Sequence, residues 1–528
     1  MLQTARAFGG MVTAPHHLAA RAGARVLADG GNAVEAAIAA AAAIAVVYPH
    51  MNGLGGDNFW LIHRPGEAPI GIDACGAAAG AADLDYYAGL DTIPSRGPKA
   101  ALTVAGSVSG WQQALNVSTG QMGGRLPLAR LLEDATQWAE DGIAVTHSLQ
   151  ENTRVKAPEM AEAPGFAETY MPGGKGVAIG DRLRQPALAA TLGRLAEAGL
   201  DDFYRGDLAR ALATELETVG SPVALADLER HQALEVEPLA LDVAGHRVFN
   251  MPPPTQGVAS LMLLGVYERL GIAEAEGFDF VHGLVEATKQ SFRRRDRHVT
   301  DPAYMAIDAN DLLAADRLDA MAADIDPARA VPWPHSGPDS DTVWFAAMDR
   351  DGNTVSMIQS LYWEFGSGVV LPETGVTWQN RGTSFSLDPT HHNVLKPQRR
   401  PFHTIQPALA RLSDGRTMAY GTMGGEGQPQ TQAMLFTRHV LYGQDLQETV
   451  TAPRWLLGRT WGAETTSLRI EDRIGEDVIA ALRSAGHEVE VTGPFDEVMG
   501  HAGALVHHPD GLMEGATDPR SDGAVAAL

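Results

Sequence analysis

The sequence predicts an α+β protein in which antiparallel sheets and helices are layered. Three observations carry this. Asp-Gly turns recur between short strand-like runs: Asp351-Gly352 between 342–348 and 354–360, Asp414-Gly415 between 408–411 and 417–421, and Asp510-Gly511 between 504–507 and 512–515. Turns of this kind join neighbouring antiparallel strands. Helical stretches at 429–442 and 475–485 lie between these hairpins, and 126–325 is mostly helical. Strands on both sides of helices suit stacked layers better than a doubly wound nucleotide-binding sheet.

In chain order, residues 17–27 read as an amphipathic helix closed by Gly30-Gly31, and an alanine-rich helix starts at Ala33. The turn Asn52-Gly53-Leu54-Gly55-Gly56 then leads into a strand over 58–63. Extended segments interrupt the helices near 235–250, where Gly245-His246 is expected to reverse the chain. Residues 327–341 form a break whose four prolines remove donors and fix φ, so an irregular surface segment is expected. Strand pattern resumes at once: 342–348 is apolar, and 354–360 alternates with Val355, Met357 and Gln359 on one side.

Composition removes several classes of function. A formal charge of −25 argues against a nucleic-acid partner, because phosphate backbones need clustered cations. Arg293-Arg294-Arg295 and Arg399-Arg400 are short and suit local ion pairs or surface. The single cysteine, Cys75, excludes an internal disulfide framework and multi-cysteine metal sites. Residues 36–47 are uncharged but too short to span a bilayer, so a buried helix and no membrane partner are expected. Residues 1–6 lack the pattern of a secretory signal, and a cytoplasmic protein is expected.

Thr342 stands where the proline-rich break meets an apolar strand. By position alone it is an ordinary β-branched strand starter. The surrounding motifs change that reading. Gly30-Gly31-Asn32-Ala33-Val34-Glu35-Ala36-Ala37, the turn 52–56, Gly106-Ser107-Val108-Ser109-Gly110-Trp111, Asp341-Thr342-Val343, Asp351-Gly352-Asn353, Phe365-Gly366, Gly424-Gly425 and Asp518-Pro519-Arg520 occur in that order. Together they resemble the γ-glutamyltransferase family over nearly the whole chain. The resemblance implies a four-layer αββα sandwich of the N-terminal-nucleophile hydrolase type. It implies a precursor cleaved between Asp341 and Thr342 into chains 1–341 and 342–528, which stay together as one interwoven body. Thr342 would be the nucleophile and its new α-amine the base, since an α-amine with a pKa near 8 accepts protons at neutral pH. Gly424 and Gly425 would form the oxyanion hole, a role compatible with a simple turn. Ser360 would support the nucleophile, unless it is only a polar residue at a strand end. No metal and no organic cofactor is implied, and a dimer of processed heterodimers is possible for the family.

The substrate side departs from the transferases. Cys75, in Asp73-Ala74-Cys75-Gly76-Ala77, stands where the family places a carboxylate-binding arginine, and a thiol makes no bidentate clamp. In Gln379-Asn380-Arg381-Gly382-Thr383-Ser384, Ser384 replaces the acid that binds the α-amine. His403-Thr404 replaces two carboxylate-binding serines, and Tyr362 replaces an asparagine. Arg381 either grips a carboxylate directly or pairs with a nearby acid. Tyr362, Asn380, Arg381, Ser384, His403 and Thr404 are therefore the candidate substrate contacts. The pattern resembles the family's oxamate amidohydrolase branch and implies a small carboxylated amide. A γ-glutamyltransferase or glutathione hydrolase is the alternative, and a non-catalytic binding protein on the same fold the second. His282 and Glu286, four apart on a helix, lack a second histidine in sequence and suit packing or surface roles better than a metal site.

Overall fold

The structure, a computed structural model, describes residues 2–333, 341–458 and 467–528. Two seven-stranded antiparallel sheets lie face to face. The first runs Ala524–Ala527, Gly10–Ala14, Asp341–Asp349, Thr354–Tyr362, Asp57–His63, Ile70–Ala74, Leu234–Val236. The second runs Ala5–Ala7, Met513–Thr517, Ala502–His507, Thr417–Thr422, Ala408–Arg411, His246–Asn250, Leu239–Val243. All three expected hairpins form. The reversal near 245 is one residue earlier than expected: Val243 pairs with His246, so Ala244-Gly245 makes the turn. Both take positive φ, 49° and 79°, as a tight hairpin turn requires. Of the proline-rich break, residues 334–340 lie outside the described residues.

Strand alternation sorts the core into three layers. Trp344, Ala346 and Met348 face the second sheet, where they meet Leu409, Ala419 and Leu505. Val343, Phe345 and Ala347 face the other way, onto helices His17–Ala28 and Ala33–Val47. Behind the second sheet, Ala410, Met418 and Val506 pack on helices Gly257–Arg269 and Gly277–His298. The αββα sandwich is thus in place. Trp344 sets the separation near the centre: a Cβ on Gly421 would fall 2.4 Å from its indole, and one on Gly503 would fall 2.7 Å away. Only bare backbone lets the ring in there.

The alanine-rich helix is buried along its entire length, as the uncharged run 36–47 implies. Its start is held by a reciprocal cap: Asn32 accepts from the N–H groups of Val34 and Glu35, and Glu35 accepts from that of Asn32. The second Glu35 oxygen accepts from the N–H groups of Arg125 and Leu126. No helix among the described residues is long and apolar enough to cross a membrane.

Three buried histidines, His16, His50 and His501, surround Tyr48 at the end of this helix. Burial lowers the pKa of His16 to about 3, with His17 adding to the effect, and that of His501 to about 4. Burial also holds His50 well below its usual range. Unfolded histidine titrates near 6.5, so below that pH the unfolded chain binds protons that the folded one refuses. Stability is full above about pH 6.5 and falls as pH drops toward 4. His16 also caps helix His17–Ala28 by accepting from the N–H of Leu18, a task asparagine performs well. In urea unfolding between pH 6.5 and 4, His16→Asn should therefore lose less stability than the wild type, by about 1.4 kcal/mol per pH unit. Equal slopes in the two proteins would show that His16 titrates normally.

Candidate active site

Thr342 is fully buried at the head of the third strand of the first sheet, next to its central strand. Asp341 pairs with Tyr362 and Val343 with Gln359, so the register slips at Thr342. Such a bulge at a strand end re-aims a side chain away from the regular ladder. On the adjacent strand Ser360 lies opposite Asp57 and accepts a hydrogen bond from the Tyr362 N–H at 2.8 Å. Tyr362 takes φ +86°, a conformation that costs a non-glycine residue about 1–3 kcal/mol. The strained backbone turns its ring toward Arg381.

Arg381 opens a single 3-10 turn, Arg381–Ser384, and is fully buried. Its Cζ sits 3.5 Å from the centroid of the Tyr362 ring, and Nη2 donates to Thr404 Oγ1 at 3.2 Å. Among the described residues Nε and Nη1 have no hydrogen-bond partner, and no carboxylate lies within ion-pair distance. Burial lowers the guanidinium pKa to about 10, against the favourable fields of Tyr362, Asp57 and Cys75. A desolvated cation with open donors is costly, and an anion is what would satisfy it.

His403 and Asp57 form the other wall. Nε2 of His403 lies 3.1 Å from Asp57 Oδ2. Oδ1 of Asp57 accepts from three further donors, the N–H groups of Gly76 and Gly106 and Nε2 of Gln379, each at 3.0 Å. Gly106 must be glycine for this, because a Cβ there would fall 2.0 Å from the Ala74 carbonyl oxygen. An ion pair would raise the histidine pKa and lower that of the acid; both move the opposite way. Burial raises Asp57 to about 7, and burial with the Arg381 charge holds His403 well below its usual range. The contact is therefore a hydrogen bond between weakly charged partners rather than a salt bridge.

The glycine pair and the Thr404 loop are tied together from behind. Gly424 and Gly425 take φ +107° and +48°, conformations open to glycine at little steric cost. The Gly424 carbonyl accepts from the Gly427 N–H. Gln256 Nε2 donates to both the Gly425 carbonyl (2.8 Å) and the Thr404 carbonyl (2.6 Å). Arg295 fixes the orientation of that amide by donating to Gln256 Oε1 at 2.7 Å while its other arm reaches Glu426 at 2.6 Å. All three are buried. Arg295, the last of the Arg293-Arg294-Arg295 run, is thus an internal strut.

Asn380 and Ser384 brace the loop. Asn380 donates to the Ser95 carbonyl and accepts from the Trp363 N–H, while the Ser384 hydroxyl donates to the Phe402 carbonyl. Asp57, Gln256, Arg295 and Glu426 escaped the motif reading. The one local sign was an acid, Asp57, opening a strand whose middle, Phe59 to Ile62, is apolar.

Among the described residues, two clusters have metal-like composition: Asp57, Cys75 and His403, and His282, Glu286 and His487. In the first, the Arg381 charge opposes a second cation, and burial pushes the Cys75 thiol well up, keeping it neutral. In the second, Lys289 already sits on Glu286 at 2.6 Å. His487 supplies in space the second histidine that the sequence lacked nearby, yet the group is used for packing: His282 holds His487 at 2.9 Å and the Asp326 carbonyl at 2.8 Å.

Comparison with known proteins agrees with this architecture. The γ-glutamyltranspeptidase family model matches residues 19–528. An oxamate amidohydrolase proenzyme of Klebsiella pneumoniae subsp. pneumoniae is 55% identical, covering 98% of both chains. A glutathione hydrolase-like YwrD proenzyme of Bacillus subtilis is 41% identical over 98% of each. The crystal structure of a cephalosporin acylase from Bacillus halodurans superimposes with a TM-score of 0.92 at 32% identity, covering 100% of this chain and 97% of the other. The chain belongs to the γ-glutamyltranspeptidase family and is an enzyme of the N-terminal-nucleophile hydrolase type.

Proposed function

We propose that the chain cleaves itself between Asp341 and Thr342 and then hydrolyses a small carboxylated amide, oxamate, through an acyl-enzyme on Thr342. The observation that carries the substrate reading is Arg381: buried, stacked on Tyr362, with Nε and Nη1 unpartnered among the described residues. The name of the 55% identical relative points the same way.

Processing begins when the Thr342 hydroxyl attacks the Asp341 carbonyl carbon and the peptide nitrogen leaves as the Thr342 amine. Water hydrolyses the resulting ester, giving chains of 341 and 187 residues (528 − 341 = 187). Each sheet mixes strands from both segments, which supports the products staying associated.

In turnover the free amine takes the hydroxyl proton as Oγ1 attacks the amide carbon. Backbone N–H groups of Gly424 and Gly425 stabilise the oxyanion. The protonated amine returns its proton to the departing nitrogen, and ammonia leaves. Water, deprotonated by the same amine, then cleaves the oxalyl ester and oxalate departs. Arg381 holds the carboxylate throughout, with Thr404 steadying the guanidinium and Tyr362 supporting its face. The pocket offers no acid in place of Ser384 and no arginine in place of Cys75, so a γ-glutamyl backbone loses both of its charged contacts.

Purified protein should run as two chains, the smaller beginning at Thr342, while Thr342→Ala should remain single. Mass spectrometry of the new terminus decides this, and a terminus elsewhere removes Thr342 as nucleophile. Oxamate and γ-glutamyl-p-nitroanilide assayed side by side test the substrate; robust turnover of the second alone would reverse the assignment. Arg381→Lys should still self-cleave, because processing engages no free carboxylate. Its kcat/KM on oxamate should fall by about 2–4 kcal/mol, the scale for losing a buried charge-assisted contact. Unchanged kinetics would take Arg381 out of the site.

A further inference from the structure

Behind Arg381 the pocket has a second polar atom that the reaction as described leaves without a task. His403 is buried and its Nδ1 has no hydrogen-bond partner among the described residues. Its opposite nitrogen faces Asp57 at 3.1 Å. The backbone on either side is pinned: the His403 N–H donates to the Pro254 carbonyl, and the Gln256 N–H donates to the His403 carbonyl. The ring packs edge-on against Phe59, with 4.8 Å between centroids. A fixed imidazole with one open nitrogen beside an open guanidinium points to a ligand touching both.

The state of Nδ1 depends on a single proton. With Asp57 ionised, its Oδ2 accepts the Nε2–H of a neutral ring, and Nδ1 is a bare lone pair. A bare lone pair repels a carboxylate oxygen. Add one proton to the pair and two arrangements are possible. In one, Asp57 stays ionised and the ring becomes an imidazolium. In the other, Asp57 becomes the neutral acid, donates to Nε2, and the neutral ring carries its hydrogen on Nδ1. Both arrangements present Nδ1–H to the pocket, so the outcome does not depend on where in the pair the proton resides.

We propose that Asp57 and His403 act as one proton-accepting pair that takes up a proton when the substrate carboxylate binds, making His403 Nδ1 the second donor to that carboxylate beside Arg381. The inference rests on the carboxylate role given to Arg381 above. Asp57 is a positioning residue here, acting through His403.

The charged and titratable neighbours fit this. Arg381 faces His403 from the 3-10 turn and disfavours imidazolium in the empty pocket. An incoming carboxylate neutralises that field. Asp57, raised by burial to about 7, is already near the point of accepting a proton. Cys75, beside the pair, stays a neutral thiol, and the Asp73 and Arg400 charges that act on it are bonded to each other at 2.7 Å. Tyr204, which feels the Asp57 charge, is held neutral by burial.

The linkage has a direction. Below about pH 7 the free pair already holds the proton, and affinity is flat. Above it, binding must draw the proton from solvent, so affinity falls up to tenfold per pH unit as pH rises. The substitution Asp57→Asn gives a sharp contrast. The asparagine carbonyl keeps the Gly76, Gly106 and Gln379 contacts, while its NH2 donates to Nε2. That fixes Nδ1–H at every pH without an added proton.

Oxalate, the product ion, serves as the probe, titrated calorimetrically into the processed enzyme in buffers of different ionisation enthalpy. At pH 8 the wild type should take up close to one proton per oxalate, and its Kd should rise about tenfold from pH 7.5 to 8.5. Asp57→Asn should take up almost none and show a flat Kd, with the tighter binding of the two proteins at pH 8.5. A merely structural role for Asp57 would instead weaken the variant at every pH. Wild-type binding without proton uptake overturns the proposal and leaves the Arg381 reading intact. A pH slope that survives in Asp57→Asn also overturns it, because the proton would then sit on the Thr342 amine. If the variant is not processed, wild-type proton uptake together with the loss of that uptake in His403→Phe stands in its place. Oxalate that does not bind at all overturns the Arg381 reading and this proposal together.

Discussion

The site depends on a buried guanidinium that is itself outside the reaction. Arg295 is sealed from solvent and bridges Gln256 to Glu426, and Gln256 in turn holds the carbonyls of Thr404 and Gly425. One amide nitrogen thus fixes the spacing between the glycine turn and the loop that carries His403 and Thr404. Removing one member of such a network leaves an unpaired buried charge, typically a loss of about 3–5 kcal/mol. Arg295 and Gln256 precede Thr342 in the chain, whereas Thr404, Gly425 and Glu426 follow it. The strut therefore joins the two segments at the point where the chemistry needs them in register.

The sheets provide the second constraint. Asp341–Asp349 is flanked in its sheet by Gly10–Ala14, from the start of the sequence, and by its own hairpin partner Thr354–Tyr362. Thr342 is consequently held by ladder hydrogen bonds on its C-terminal side whether or not a peptide bond precedes it. Trp344, two residues on, inserts between Gly421 and Gly503 and hydrogen-bonds Ser356. The head of the strand is fixed in depth as well as in register, as the nucleophilic role proposed for Thr342 requires.

Electrostatically the pocket is unusual for a protein of charge −25. Its acid, Asp57, is surrounded by donors and buried, while its cation, Arg381, lacks a carboxylate partner among the described residues. The cost of that desolvated cation is offset in part by the cation–π contact with Tyr362, about 2 kcal/mol when desolvated. The strained Tyr362 backbone belongs to the same arrangement, since the left-handed turn is what lays its ring under the guanidinium.

Much of this was legible in the sequence. Asp-Gly turns between alternating runs located the hairpins because the turn chemistry is local, and the uncharged run 36–47 of the alanine helix announced its own burial. Motif order pointed to Thr342, Ser360, Gly424 and Gly425, residues whose proposed roles rest on backbone geometry or on a single hydroxyl. The turn at Ala244-Gly245 was misplaced by one residue, since glycine alone does not say on which side of it the pairing resumes. What the sequence could not show was any contact between distant side chains. Whether Arg381 met an acid or remained open depended on what Tyr362, Thr404 and Asp57 placed around it, from segments up to 347 positions apart (404 − 57). Asp57 with His403, and Arg295 with Gln256 and Glu426, are likewise pairings between distant segments that only packing brings together. Local rules set the elements; burial and the satisfaction of charged groups, which are properties of the folded whole, decided the site.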